Sequence, residues 1–251
     1  MVNESEIFVV IFVVGLVLLL FYAYLASIER VLISIGFTTG EASTLLFLTL
    51  VLGWISIPLF PYNGWWVAIS VGGGLIPLAI CFRLIQSKRV DIAEMLIGVT
   101  IVTYVTYFVT RAEEGVGIVA DVPMAFAPAI AAGLFSLSVF WNDLRKAAPL
   151  AYVSGVLGTL VGADVLHLGE ILSYDAPGGD FPMLSIGGAN IFDMVYLTGV
   201  VAVIVAIVVL RIKKKQEAYA YAYFDGGSVV TQDEEFTPAP TLFDRIMEQL
   251  K

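Results

Sequence analysis

Residues 7–27 read IFVVIFVVGLVLLLFYAYLAS, twenty-one positions without a charge. At about 1.5 Å of rise per residue such a run makes a helix of about 30 Å, the thickness of a bilayer's hydrocarbon core. Only helices and closed barrels satisfy their backbone in that environment. A chain built from runs of this kind therefore folds as a helical bundle in lipid. The remainder of the sequence agrees, with 59% hydrophobic and 14% charged residues among 251, against about 45–50% and about 25% in soluble domains. The opening MVNESE is acidic, whereas a cleaved signal peptide begins basic and ends in small residues. The first run is expected to be a retained span, and no lipidation motif accompanies it.

Seven spans are predicted, near 7–27, 43–60, 65–85, 92–110, 119–141, 148–168 and 186–210. The fold class is all-α: a polytopic transmembrane domain over residues 1–215, followed by a polar tail, 216–251. Lys and Arg in short loops set orientation. Arg30, Arg83, Lys88, Arg89, Arg145, Lys146, Arg211 and Lys213 to Lys215 fall on one side, and only Arg111 falls on the other. That side instead carries Glu113, Glu114, Asp121, Glu170, Asp175 and Asp180. The expected placement is a multi-pass plasma-membrane protein with its N-terminus outside and its C-terminus in the cytoplasm.

The loop PYNGWW puts Tyr62, Trp65 and Trp66 where aromatic rings anchor at an interface. Segment 28–42 is too short and polar to span and is expected to lie along the inner surface. In the tail, TLFDRIMEQL sets Leu242, Phe243, Ile246, Met247 and Leu250 on one helical face. That face suits the membrane, the protein's own loops or a partner protein.

Composition also excludes. Cys81 is the single cysteine and His167 the single histidine, so a disulfide framework, a Cys-based zinc site and a multi-His metal site within one chain are out. The net charge of −9 disfavours nucleic acid as a partner. No cofactor motif is present. The lipid bilayer is the partner the composition demands.

An internal repeat adds organisation. Residues 69–78, ISVGGGLIPL, align with residues 184–193, LSIGGANIFD. The preceding helices compare more weakly, with Gly53 over Gly162 and Leu59 over Leu168. Spans one to three and five to seven would then be parallel repeats joined by span four, an arrangement that some carriers use. The copies differ where it matters for chemistry: Asp164 and Asp193 stand where the first copy has Ile55 and Leu78.

From Lys146 to Asp164 is eighteen residues, as from Asp193 to Arg211, so the two carboxylates are expected at one height, nearer the outside. An Asp at the centre of a membrane helix costs about 2.5–3.5 kcal/mol on the insertion scale. Two of them call for compensation by a proton, a monovalent cation, or donors such as Asn190, Tyr196 and Thr198. Gly187 and Gly188 are poor helix formers, so the backbone of Ser185–Asn190 is expected to stay unwound and line a site, or else to pack closely. Ser154, Gly158 and Gly162, four residues apart, are expected to form a small-residue packing face. His167 lies three residues beyond Asp164, on the same face if the helix continues. The expected ion- or substrate-binding set is Asp164, Asp193, Asn190, Gly187, Gly188, Ser185, His167 and Tyr196.

The stretches ISIPLF, VGGGLIPL, EEGVGIVADVP, APLAYVSGVLGTLVGADVLHL and SIGGANIFDMVYLTGVVAVIVA resemble a prokaryotic membrane family, the domain of unknown function 1614 family, over nearly all of residues 30–210. Asn190, Ile191 and Met194 depart from its pattern, and both aspartates remain. The resemblance implies a fold and a topology but no activity. A fainter likeness is to the GxGD intramembrane aspartyl proteases, carried by Gly162-Ala163-Asp164 and Phe192-Asp193. There the aromatic-Asp pair comes first, and this chain has Val161 three positions before Asp164 and lacks a Pro-Ala-Leu motif. Three classes of function follow: a cation- or proton-linked small-solute carrier or channel, an intramembrane aspartyl protease using Asp164 and Asp193, and a non-catalytic scaffold.

Overall fold

The computed structural model describes residues 4–176, 182–188 and 192–224. The chain divides into two compact units, residues 1–210 and 211–251; of the second, only helical residues 211–224 are described. The amphipathic segment 241–250 lies outside the described residues.

The first unit is mostly helical. In order it contains α1 (Glu4–Ser34), α2 (Thr39–Leu52), β1 (Ser56–Tyr62), β2 (Trp65–Ser70), α3 (Ile76–Gln86), α4 (Ile92–Val109), β3 (Thr110–Glu113), β4 (Gly117–Ala120), α5 (Ala127–Val139), α6 (Leu144–Thr159), α7 (Leu166–Ile171), β5 (Met183–Ile186) and the start of α8 (Met194–Phe224). Wide π turns at Val71–Leu75 and Leu160–Val165 lead into α3 and α7. Among the described residues, four helical stretches have the length and apolarity to cross a membrane: Glu6–Ser34, Ile92–Val109, Leu144–Ile171 and Met194–Gln216. Thr39–Leu52, Val71–Gln86 and Met124–Val139 are apolar but shorter.

Strands correct the all-α expectation. The runs at 43–60 and 65–85 are helical only at their far ends, because SIPLFPY and WWVAIS pair as an antiparallel hairpin. Its two-residue turn is Asn63-Gly64, with φ of 47° and 81°, the pair that a type I′ turn requires. Pro58 and Pro61 sit on β1, the edge of a sheet ordered β1-β2-β5, where a missing N–H is harmless. Likewise the run at 119–141 opens as β4, paired with β3, and in the run at 186–210 β5 ends at Ile186 and α8 starts at Met194. Segment 28–42 is corrected too. Residues 28–34 continue α1, and Ile28, Val31 and Leu32 are fully buried in the core with Ile35. Their spacing is that of a helix face seated on protein.

The small-residue face behaves as expected. A methyl group added at Gly158 would stand 2.5 Å from Val102 Cβ, and one at Gly162 would stand 2.7 Å from the Thr103 carbonyl oxygen. Thus α6 and its π turn lie directly on α4, and the Thr103 hydroxyl donates to the Gly158 carbonyl at 3.3 Å. Gly155 and Gly199 do the same for α6 and α8. Gly158→Val is expected to destabilise the fold by about 2 kcal/mol through overpacking, read as a lowered Tm of the detergent-solubilised chain. An unchanged Tm would show that the interface can part without cost.

At the other end of α2, Thr38 and Glu41 form a capping box, and Glu41 pairs with Arg83. Glu41 precedes the apolar part of its helix. The Thr38 backbone N–H and then Arg83 hold its carboxyl down from 4.5 to about 2. A depressed carboxyl stabilises the fold above its unfolded pKa, and that contribution disappears as pH falls through the folded one. Wild type and Glu41→Gln should therefore differ in Tm at pH 6 and converge near pH 2. A constant difference across that range would assign the effect to something other than ionisation.

Candidate functional site

Asp164 sits on the π turn Leu160–Val165. Single π turns inside α-helices recur at functional sites. Gly162 is pressed onto α4 and Ala163 is buried, so the widened turn carries the half-buried Asp164 carboxylate away from α4. Among the described residues it has no hydrogen-bond partner.

Asp193 immediately precedes α8, and its Oδ1 accepts from the Val195 N–H at 2.8 Å. This is the N-cap arrangement that short polar side chains favour, and a carboxylate there also meets the positive end of the helix. One role of Asp193 is thus local and structural.

The two aspartates nonetheless share a space. Both line one cavity of about 620 Å³ and lie close enough for their charges to interact. Its walls come from residues 116–120 of the β3–β4 hairpin, Phe126 and Ala129 at the head of α5, Met183 to Ser185 of β5, Gly188, and the first two turns of α8. Most of that lining is apolar. Ser185 adds a hydroxyl, held 2.8 Å from the Ser56 hydroxyl. Phe192 also lines the cavity and stacks on Tyr24 of α1, with ring centroids 5.5 Å apart. On the hairpin that forms one wall, Arg111 bonds Glu113 at 2.9 Å and Asp121 at 3.4 Å. Among the described residues, no three His, Cys, Asp or Glu side chains cluster as a metal site.

The expected site residues divide. Asp164, Asp193, Ser185 and Gly188 line the cavity. Gly187 does not; it has φ +71° and meets the backbone of Gly73 and Gly74. The glycines of SIGGAN therefore serve both purposes, Gly187 packing and Gly188 lining. Tyr196 is buried away from the cavity and bonds Thr49 of α2. His167 shares no face with Asp164. Its ring stacks on Tyr107 of α4 at 4.8 Å, its Nδ1 lies 3.2 Å from Glu170, and its buried Nε2 has no partner among the described residues. The physical reason is the π turn, whose extra residue shifts the helical phase before His167. Asn190 lies outside the described residues.

The wall contributed by the β3–β4 hairpin lies outside the sequence-predicted site residues. EEGVG, with Gly115 and Gly117 both at positive φ, carried that signal as a turn between two short β-branched runs.

The two stretches aligned as a repeat meet at their starts: β2 and β5 pair in parallel, Val67 opposite Leu184 and Ile69 opposite Ile186. That register is offset by two residues from the sequence alignment, in which Ile69 stands over Leu184. No curated protein and no solved structure matches the chain. The family described as protein of unknown function (DUF1614) matches residues 49–205, more than half of the chain, and the chain belongs to that family.

Proposed function

We propose that the Asp164–Asp193 cavity is the binding site of a cation- or proton-linked small-solute carrier, open toward the outer face of a plasma-membrane bundle with its N-terminus outside. The observation that carries this reading is that the carboxylate on the π turn before α7 and the one that caps α8 line one cavity. Intramembrane acids are by default functional. The parallel pairing of β2 with β5 supports a repeat architecture, and carriers place their sites at repeat boundaries beside interrupted helices. The π turn under Asp164 is an interruption of that kind.

The test is flux. The full chain is reconstituted in liposomes loaded with a pH-sensitive dye and challenged with Na⁺ and pH gradients, with and without a panel of small amines and amino acids. A lumenal pH change that depends on Na⁺ or solute and is removed by Asp164→Asn is expected. Behaviour identical to protein-free liposomes under every gradient would overturn the carrier reading. The same pair on consecutive helices also favours a second reading, an intramembrane aspartyl protease. Cleavage of a single-span peptide in those liposomes, lost in Asp164→Asn, would assign it.

A further inference from the structure

Resting on the reading of this cavity as a carrier site, we infer that its occupant is a lipophilic organic ammonium, an amine with an apolar body, and not a bare inorganic cation. Hard cations surround themselves with about six to eight oxygens. Among the described residues, the side-chain oxygens on the lining belong to the carboxylates of Asp164 and Asp193, one of whose oxygens accepts from the Val195 N–H, and to the hydroxyls of Thr198 and Ser185, the latter shared with Ser56. A bare ion would leave most of its hydration behind for walls such as Ile118, Val119 and Leu197, which offer no side-chain oxygen.

An organic ammonium solves both halves of the problem. Its nitrogen presents donors to Asp164, which has no hydrogen-bond partner among the described residues, beside the second carboxylate on the lining, Asp193. Its carbon skeleton covers the apolar wall, worth about three- to fourfold in affinity per methylene. Phe126 and Phe192 also stand on the lining, and aromatic rings are groups that attract ammonium ions. A volume of about 620 Å³ falls in the range of about 300–1,000 Å³ typical of small-molecule sites. Two acids and no basic side chain on the lining exclude an anion of the same size on charge.

The experiment compares phenethylammonium, 2-phenylethanol, phenylacetate and NaCl by isothermal titration calorimetry on the full chain in nanodiscs, with empty nanodiscs subtracted. Phenethylammonium is expected to bind at least tenfold more tightly than the neutral alcohol, phenylacetate not at all, and the preference to vanish in Asp164→Asn. Asp193→Asn is the second variant. Asn also caps helices well, so the fold is retained and the preference is expected to weaken. Equal binding of amine and alcohol in the wild type overturns the inference. So does Na⁺ binding without amine binding, which leaves the carrier reading standing. If neither binds and the liposomes show no flux, both fall.

Discussion

Asp164→Asn should abolish cation-dependent binding or flux while leaving the fold at least as stable as wild type. The two effects have separate origins. Truncating one member of a buried charge pair costs about 2–5 kcal/mol, which is at least about thirtyfold in affinity. The aspartate has no hydrogen bond to lose among the described residues, and an amide is cheaper than a carboxylate to keep in an apolar surround. Residues kept for a site and not for the fold show this pattern of lost function without lost stability. Asp193 supplies the contrast. Its carboxylate caps α8, so Asp193→Ala should cost about 1 kcal/mol, and Asp193→Asn should recover that stability without recovering the charge. Thermal unfolding and ligand titration on the three variants decide. A Tm that falls as far for Asp164→Asn as for Asp193→Ala would make Asp164 a structural group and sink the site.

The helices long enough to cross a membrane were legible because lipid allows so few solutions: α1, α4, the α6–α7 stretch and α8 each carry a long, largely apolar run. That α6 has a packing face was equally plain, since glycine and serine every four residues have few other uses between apolar helices, but that α4 is what it meets was not. Strands were harder. Where both faces of an element are apolar the period-two alternation disappears, and a short run then reads as either helix or strand. WWVAIS ran straight into VGGGLIPL and was absorbed into one predicted span. Asn63-Gly64 stated the hairpin, but among aromatic neighbours it was taken for an interfacial loop. His167 was misplaced because a uniform helix was assumed through a π turn, and nothing in LVGADV shows that the turn widens. The aspartates stood out in the sequence by their cost in lipid alone. The hairpin wall opposite them depends on pairings between residues distant in sequence, which no local pattern reveals.

Gly187→Ala should be strongly destabilising. Gly187 has φ +71°, a conformation that costs an L-residue about 1–2 kcal/mol. The added methyl would also stand 2.5 Å from Gly73 C and Gly74 N. Those are backbone atoms at the π turn leading into α3 and cannot rotate aside as a side chain does. Overpacking of this kind costs about 1–3 kcal/mol more, giving about 2–5 kcal/mol in all, which for a chain of this size is a fall in Tm of roughly 4–20 °C. The effect should reach the site, because Gly187 links Ile186, the last residue of β5, to Gly188 on the cavity wall. Moving that loop off Gly73 and Gly74 moves Ser185 and the approach to α8 with it. Gly188→Ala is the control. Its φ is not positive, and the new methyl would lie 3.0 Å from the Ser185 carbonyl oxygen with no contact to the first glycine loop. It should lower Tm far less than Gly187→Ala. Equal losses would mean that the contact between the two glycine loops is incidental, and that the parallel pairing of β2 with β5 alone holds this wall of the cavity in place.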